Sequence, residues 1–234
     1  MTNHVVLDNI SHKDLKVITT RSEAYGDGVN FTTVMPSELR QLQSDFPLFL
    51  RKTPDSQSWE IIALLGLEQN ENLFLGESGW QAGYLPLTLE RQPFLIGLDN
   101  DDNPMVHIDM DSPRISEGDG ELIFLAQGGN SPYLQRISSV LKAIHEGHEH
   151  TGAFTKTLDN LGLIEPVALT VELNNGEKLT LEGLHTINEE KVAALQGTPL
   201  NDFHAQSYLQ LTHMMMASIN NMSTLIAKKN AKAS

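Results

Sequence analysis

The sequence predicts an α+β protein, with an antiparallel β-sheet meander, packed helices and a long C-terminal helix. Short apolar runs between turn residues indicate strands, and Asn174-Asn175-Gly176 between two such runs is typical of a hairpin turn. Two longer stretches, after residues 131 and 201, repeat apolar residues at the spacing of a helix face. The chain has neither internal repeats nor a low-complexity linker, so we expect one domain over residues 1–234.

The first third of the chain predicts a polar margin followed by short elements. Residues 1–30 are polar and rich in turn residues, which favours a peripheral N-terminal segment. Pro36 predicts the first turn of a short helix, with Glu38 at its positive end. The apolar runs Trp59–Leu67 and Asn72–Gly76 then predict strands.

The stretch GYLPLTLERQPFLIGL, residues 83–98, places a charge pair between two prolines in an apolar setting. Pro86 suits the first position of a helical turn, since its missing N–H has no helical partner there. Pro93 ends any helix at the preceding residue. We therefore predict one or two helical turns in which Glu90 and Arg91 occupy the last turn, free to reach outward or to pair.

Three apolar runs with short connections predict the meander: Phe94–Asp99, Met105–Met110 and Glu121–Ala126. The polar segment 99–103 between the first two resembles the start of a calcium-binding loop. Such a loop needs Gly at its sixth position and Glu at its twelfth, and the sequence has Pro104 and Met110 there. We interpret the segment as a polar turn.

Three helices are predicted in the C-terminal half. Ser131 followed by Pro132 is a typical helix start, and Gly147 is expected to end that helix before a second one over residues 154–163. The last helix is expected from about Asp202 to Lys229. One face of it carries the residues that we predict to bind a partner or a second copy of the chain: Tyr208, Leu211, Met214, Met215, Ile219 and Met222.

Composition excludes several functions. The net charge of −14 would repel phosphate backbones, so we expect no nucleic-acid partner. The absence of cysteine excludes disulfides, thiolate nucleophiles and cysteine-bound metal clusters. No signal peptide and no apolar run of spanning length is visible, so we expect no membrane insertion and a cytoplasmic location, with signal-less secretion left open.

The segment His145-Glu-Gly-His-Glu-His150 invites a metal-site interpretation. The zinc-binding pattern HExxH requires a second His four residues after the first, but that position is Glu149. We interpret the cluster as a solvated helix end and expect no metal and no cofactor, with adventitious nickel or zinc binding left open.

A set of segments matches a family pattern in order and spacing. These are Ser11–Val17, Met35–Leu39 with Phe46–Phe49, Ala63–Leu67, Asn72–Phe74, Tyr84–Pro86 through Arg91–Phe94, Leu122–Phe124 with Gly128–Leu134, Leu161–Pro166 and Ser218–Leu225. Over about residues 11–226 the sequence therefore resembles the bacterial SapC-like proteins. The resemblance implies a single SapC-like domain, in which the Arg-x-Pro-Phe turn is a signature and Arg91 anchors its corner.

The resemblance implies the systems in which the protein could act, but it supplies no catalytic residue. The family takes its name from a protein associated with a bacterial surface layer. The resemblance also implies that, in bacterial genomes, the family's members accompany flavin-dependent halogenases, cupin-like oxygenases and TonB-dependent outer-membrane receptors. Eight residues are candidates for a ligand site or for structural anchors: His12, Asp14, Trp80, Tyr84, Arg91, Phe94, Asp109 and Glu121.

We therefore predict a non-enzymatic accessory protein that binds a partner protein or peptide. One alternative is an enzyme that acts on a small molecule or needs a metal, using His107, Asp109 and Glu121 or the 145–150 cluster. A second alternative is a secreted surface-layer component.

Overall fold

The computed structural model describes residues 3–98 and 104–232, and the calcium-like segment 99–103 lies outside these residues. The strands are β1 His4–Val6, β2 Lys16–Val17, β3 Phe31–Val34, β4 Leu48–Lys52, β5 Trp59–Leu64, β6 Leu75–Gly76, β7 Gly79–Trp80, β8 Phe94–Leu98, β9 Pro104–Asp109, β10 Ile115–Ser116, β11 Glu121–Leu122, β12 Ile164–Glu172 and β13 Lys178–Ile187. The α-helices are α1 Leu39–Leu42, α2 Leu87–Glu90, α3 Pro132–Asn160, α4 Glu189–Ala193, α5 Gly197–Ala205, α6 Tyr208–Ser218 and α7 Met222–Lys232. The predicted α+β class is confirmed.

The chain divides into two compact units. Unit 1 comprises Met1–Gly28, Leu75–Gln81 and Leu87–Glu146, and unit 2 comprises Val29–Phe74, Ala82–Pro86 and Gly147–Ser234. The single domain stays a prediction, because two such units can belong to one domain or to two. The N-terminal segment supplies β1, β2 and the fully buried side chain of Asp27 to unit 1.

Unit 1 contains an antiparallel sheet with the strand order β1–β9–β8. Its pairing confirms the predicted hairpin, since Phe94 lies opposite Ile108 and Leu98 opposite Pro104. Phe94 and Ile108 are both inaccessible to solvent, so one sheet face forms the core of the unit. The core includes Val17, Phe94, Ile108, Ile123, Phe124, Leu134, Ile137 and Leu141.

The prediction that Glu121–Ala126 forms the third strand of the meander is wrong. Only Glu121–Leu122 is extended, and it pairs with β2 rather than with β9. Gly120 explains the change: at φ +117° it approaches the Val17 backbone so closely that an added Cβ would lie 2.5 Å from the Val17 oxygen. Only glycine combines this conformation with that approach, and it brings the chain onto β2.

Unit 2 contains an antiparallel sheet with the order β12–β13–β4–β5–β3. The hairpin predicted at Asn174-Asn175-Gly176 is confirmed, since Glu172 lies opposite Lys178 and Gly176 has a φ of +85°. Strand β5 matches the predicted run from Trp59 and is almost wholly buried beyond Glu60. The long pairing of β12 with β13, whose register shifts between Val167 and Leu169, forms one side of this sheet.

Helix α3 corrects the predicted break at Gly147. The helix is continuous over 29 residues, and it begins as predicted, with the Ser131 hydroxyl accepting the Leu134 N–H at 3.1 Å. An added Cβ at Gly147 would lie 2.7 Å from Met35 Cγ. The glycine therefore permits close packing of α3 on the buried Met35 side chain, and it does not cap the helix.

The long C-terminal helix is confirmed from Tyr208 to Lys232, with one 3₁₀ turn at Ile219–Asn221. Its start differs from the predicted Asp202, because Ser207 adopts φ +61° and separates α5 from α6. Within the described ranges, no helix has both the length and the apolar character that crossing a bilayer requires.

Candidate functional site

Unit 1 contains a cleft of about 500 Å³ at the end of the β1–β9–β8 sheet. Two predicted candidates, Arg91 and Asp109, lie together in its wall. The remaining lining residues are His4, Tyr25, Gly26, Gln92, Pro93, Leu95, Asp111, Ser112 and Pro113. The volume is within the range of about 300–1,000 Å³ that is typical of ligand sites.

Arg91 follows helix α2 at the corner that the two prolines create. Its backbone N–H donates to Leu87 O at 2.9 Å, and the next peptide bond, Gln92–Pro93, is cis. The guanidinium donates through Nη1 to Phe94 O at 2.6 Å, across the corner. Burial lowers the pKa of Arg91, although an arginine remains charged at neutral pH. Within the described residues, no carboxylate forms an ion pair with this guanidinium.

Asp109 ends strand β9 and faces the same cleft. Its N–H donates to Pro93 O at 3.1 Å, which ties the strand end to the proline corner. Its Oδ1 accepts the backbone N–H of Asp111 at 3.1 Å. One carboxylate oxygen thus holds the turn that follows the strand, and Asp111 itself is exposed. The cleft therefore carries both signs of charge.

Unit 1 also contains a buried cluster of two arginines and one aspartate. Asp27 Oδ2 lies 2.5 Å from Arg114 Nη2, and Asp27 Oδ1 lies 3.3 Å from Arg21 Nη1. Arg114 also donates to the carbonyls of Ile18 and Thr20, at 2.8 and 3.0 Å. Its guanidinium lies 5.9 Å from the ring centroid of the cleft residue Tyr25. This cluster holds the loop that carries Tyr25.

Tyr133 shows the effect of burial beside these arginines. Burial raises the pKa of Tyr133 from an ordinary value near 10 to about 12, against the opposing charges of Arg21 and Arg114. Below pH 10 the phenol is neutral in both the folded and the unfolded chain. Above pH 10 only the unfolded chain ionises, so stability falls as pH rises toward 12, by about 2–3 kcal/mol for this residue.

We expect Tyr133→Phe to remove this part of the alkaline loss of stability. The check is the unfolding free energy of both proteins between pH 9 and about 11.5, with tyrosinate absorbance followed in parallel. Equal pH dependence in the two proteins would contradict the assignment.

The side of the sheet away from the core is open, and we call it the outer sheet face: Val6, Leu95, Gly97, Met105 and His107. The register places these residues on one side, since Val6 and Leu95 both lie opposite His107, and Gly97 lies opposite Met105. Val6 is 41% exposed and Met105 37% exposed. The outer sheet face leads to the cleft through Leu95, which belongs to both.

The other predicted candidates lie apart from the cleft. Phe94 is a core residue, and Asp14 and Glu121 are exposed. His12 is buried, with Nδ1 3.1 Å from the Asp8 backbone nitrogen, and Trp80 is half-buried in the β6–β7 hairpin. Tyr84 belongs to unit 2, where its hydroxyl donates to Glu38 Oε1 at 3.2 Å.

The predicted partner-binding stripe lies largely in the interior of unit 2. Tyr208, Met214 and Met215 are buried, and α6 packs against α1, α5, β4 and β13. The remaining stripe residues, Leu211, Ile219 and Met222, are half-buried. Partner binding or self-association through this helix stays a prediction, and these three residues are the part of the stripe that reaches the surface.

The histidines of the metal interpretation are on the surface of α3, where His145, His148 and His150 are exposed. Across residues 3–98 and 104–232, no three side chains of His, Asp or Glu are arranged to hold a metal ion. His107 lies on the outer sheet face, with its Nε2 buried and without a hydrogen-bond partner in these ranges.

A comparison with protein families matches the SapC family over residues 7–225, which is nearly the whole chain. The chain belongs to the SapC family. The family resemblance expected from the sequence is thereby confirmed. No curated protein and no solved structure matches this SapC chain.

Sequence reasoning missed several residues that build the cleft and its support in this SapC protein. His4, Tyr25 and Asp111 line the cleft, and Asp27 and Arg114 hold the loop beneath. Asp27 and Arg114 are 87 positions apart, so no local pattern pairs them. A weak signal was present in Tyr25-Gly26-Asp27-Gly28, because an aspartate between two glycines marks a turn whose carboxylate can accept backbone N–H groups.

Proposed function

We propose that this SapC protein is a non-enzymatic binding protein that holds an extended segment of a partner protein or peptide on the outer sheet face. One observation carries the proposal: Val6 and Met105 are exposed apolar side chains on one face of a sheet that leads into a charged cleft. Exposed apolar side chains grouped in this way are typical of interaction surfaces.

The strand edge supports an extended partner. Among the described residues, the edge of β8 away from β9 has no strand partner. Such an edge presents backbone N–H and C=O groups to an added strand, whose alternate side chains would lie next to Leu95 and Gly97 on the outer side.

Charge supports a carboxylate at one end of the segment. Arg91 is partly desolvated and spends one donor on Phe94 O, which leaves the other guanidinium donors for a carboxylate. One oxygen of Asp109 is already used by the Asp111 N–H. We therefore propose a segment with apolar side chains at alternate positions and an acidic group that reaches Arg91.

The family supplies the setting for this proposal. The resemblance implies companions in surface-layer, halogenase, oxygenase or TonB-dependent receptor systems. A segment from a protein of such a system is the partner that we propose, and a cytoplasmic accessory role remains part of the proposal.

Selection of phage-displayed random peptides on the immobilised full chain tests the proposal. We expect enrichment of peptides with alternating apolar residues and an acidic group. The double variant Val6→Glu with Met105→Glu should weaken their binding by about tenfold or more, since it places charges on the apolar contact. Arg91→Met should weaken only the peptides that carry the acidic group.

The control is Ile10→Glu, which adds one negative charge at a side chain that is 81% exposed and outside the sheet. It should leave peptide binding unchanged. Failure to enrich any peptide, or equal binding to the double variant and the control, would contradict the proposal.

A further inference from the structure

Unit 2 contains a separate cavity of about 460 Å³ between the C-terminal half of α3 and the end of the β4–β5 hairpin. Helix α3 contributes His148, Thr151, Gly152, Thr155, Lys156 and Asp159. The strands and their connection contribute Thr33, Lys52, Thr53, Gln57, Ser58, Trp59 and Glu60. Among these described lining residues, none has an aliphatic side chain, whereas ligand pockets are usually lined by hydrophobic residues.

The formal charges of the lining cancel. Lys52 and Lys156 give two positive charges, and Glu60 and Asp159 give two negative charges. Glu60 is also paired with Arg51, at 2.7 Å, behind the lining. Because the lining carries charges of both signs, it has no strong preference for an ionic ligand of either sign. An apolar ligand would desolvate these polar groups without replacing their hydrogen bonds.

The lining offers hydrogen-bond acceptors and donors side by side. Thr151 and Thr155 are buried, and each donates its hydroxyl proton to a carbonyl one turn back, at 2.8 and 2.9 Å. Their oxygen lone pairs therefore remain as acceptors. Asp159 adds a carboxylate acceptor and Lys156 an ammonium donor, and neither has an ion-pair partner in the described residues. Ligand hydroxyl groups, which donate and accept, match this mixture.

Trp59 contributes a large aromatic ring to the lining of the cavity. Its ring meets the edge of His185, with centroids 4.6 Å apart, and the Lys52 ammonium lies 5.0 Å from the ring centroid. A flexible lysine side chain can leave the ring face, which then suits the C–H groups of a ring-shaped ligand. Gly152 leaves further space at the lining, since a Cβ added there would have no neighbour within 4 Å.

We propose that this cavity binds an uncharged polyhydroxylated compound of the mono- or disaccharide class. The proposal concerns unit 2 and does not depend on peptide binding at the outer sheet face of unit 1. The mixed charges of the lining, the adjacent donors and acceptors, and the Trp59 ring together favour this class.

Saturation-transfer NMR on the full chain tests the proposal with glucose, galactose, N-acetylglucosamine and maltose as probes. We expect saturation transfer to at least one of them. Gly152→Leu should weaken that binding by about tenfold or more, because its side chain would extend from a lining position into unoccupied space. Leucine is also a better helix former than glycine, so this variant should fold.

Ala153→Leu is the matched control, since residue 153 is exposed on the same helix and does not line the cavity. It should bind the sugar as the unaltered chain does. Absence of transfer to all four sugars, or equal binding by Gly152→Leu, would overturn the proposal. Saturable binding of inorganic phosphate that Gly152→Leu abolishes would overturn the neutral class of ligand.

Discussion

Replacing Asp27 by Asn is expected to lower the free energy of unfolding by about 3–5 kcal/mol. Asp27 is fully buried and is the carboxylate partner of both Arg114 and Arg21. The substitution keeps the shape of the side chain but leaves two guanidinium charges in the interior without a counter-charge. Removing one partner of a buried ion pair costs far more than an exposed pair contributes.

Urea denaturation followed by circular dichroism measures the effect. Asp14→Asn is the matched control, because Asp14 is exposed and pairs only loosely with Lys13 at 3.8 Å. It should change the unfolding free energy by less than about 0.5 kcal/mol. A double-mutant cycle with Arg114→Met then isolates the pair, and a coupling energy near zero would contradict the assigned role of Asp27.

Met215→Ala is expected to lower the free energy of unfolding by about 2–5 kcal/mol. Met215 is 2% exposed on α6, which packs against β4, β13 and α1. The truncation removes buried apolar surface and leaves a cavity that the surrounding sheet and helices can fill only in part.

The matched control is Gln210→Ala on the exposed side of the same helix, which should change stability by less than about 0.5 kcal/mol. Thermal and urea unfolding of both variants provide the comparison. If Met215→Ala were as stable as the control, the methionine would belong to a free surface, as the partner-binding interpretation of the stripe required.

The apolar stripe on the C-terminal helix shows that a periodic pattern predicts a helix without identifying what its apolar face contacts. Period and length were sufficient to predict the helix from Tyr208 onward. A stripe of the same composition can face the core of the same chain or a partner, and only the position of β4 and β13 distinguishes these cases. The break between α5 and α6 at Ser207 could not be predicted, since a positive φ at serine has no strong sequence signal.

Glycine illustrates a second limit. Gly176 was predicted correctly because an Asn-Gly turn depends on local conformation alone. Gly147 was predicted as a helix end, yet its role is to admit Met35, a residue more than a hundred positions earlier. The candidate site shows the same difference between local and distant determinants. The proline corner with Arg91 can be predicted from neighbouring residues. The loop that carries Tyr25 depends on the ion pair of Asp27 and Arg114, which are far apart in the sequence.

The imidazole of His107 lies directly over the backbone of Gly97, where an added Cβ would be 2.4 Å from Nε2. The shape of the outer sheet face at His107 therefore depends on the absence of a side chain at Gly97. A larger residue at position 97 would push the His107 ring outward. The ring would then protrude from the outer sheet face and obstruct a segment that binds there.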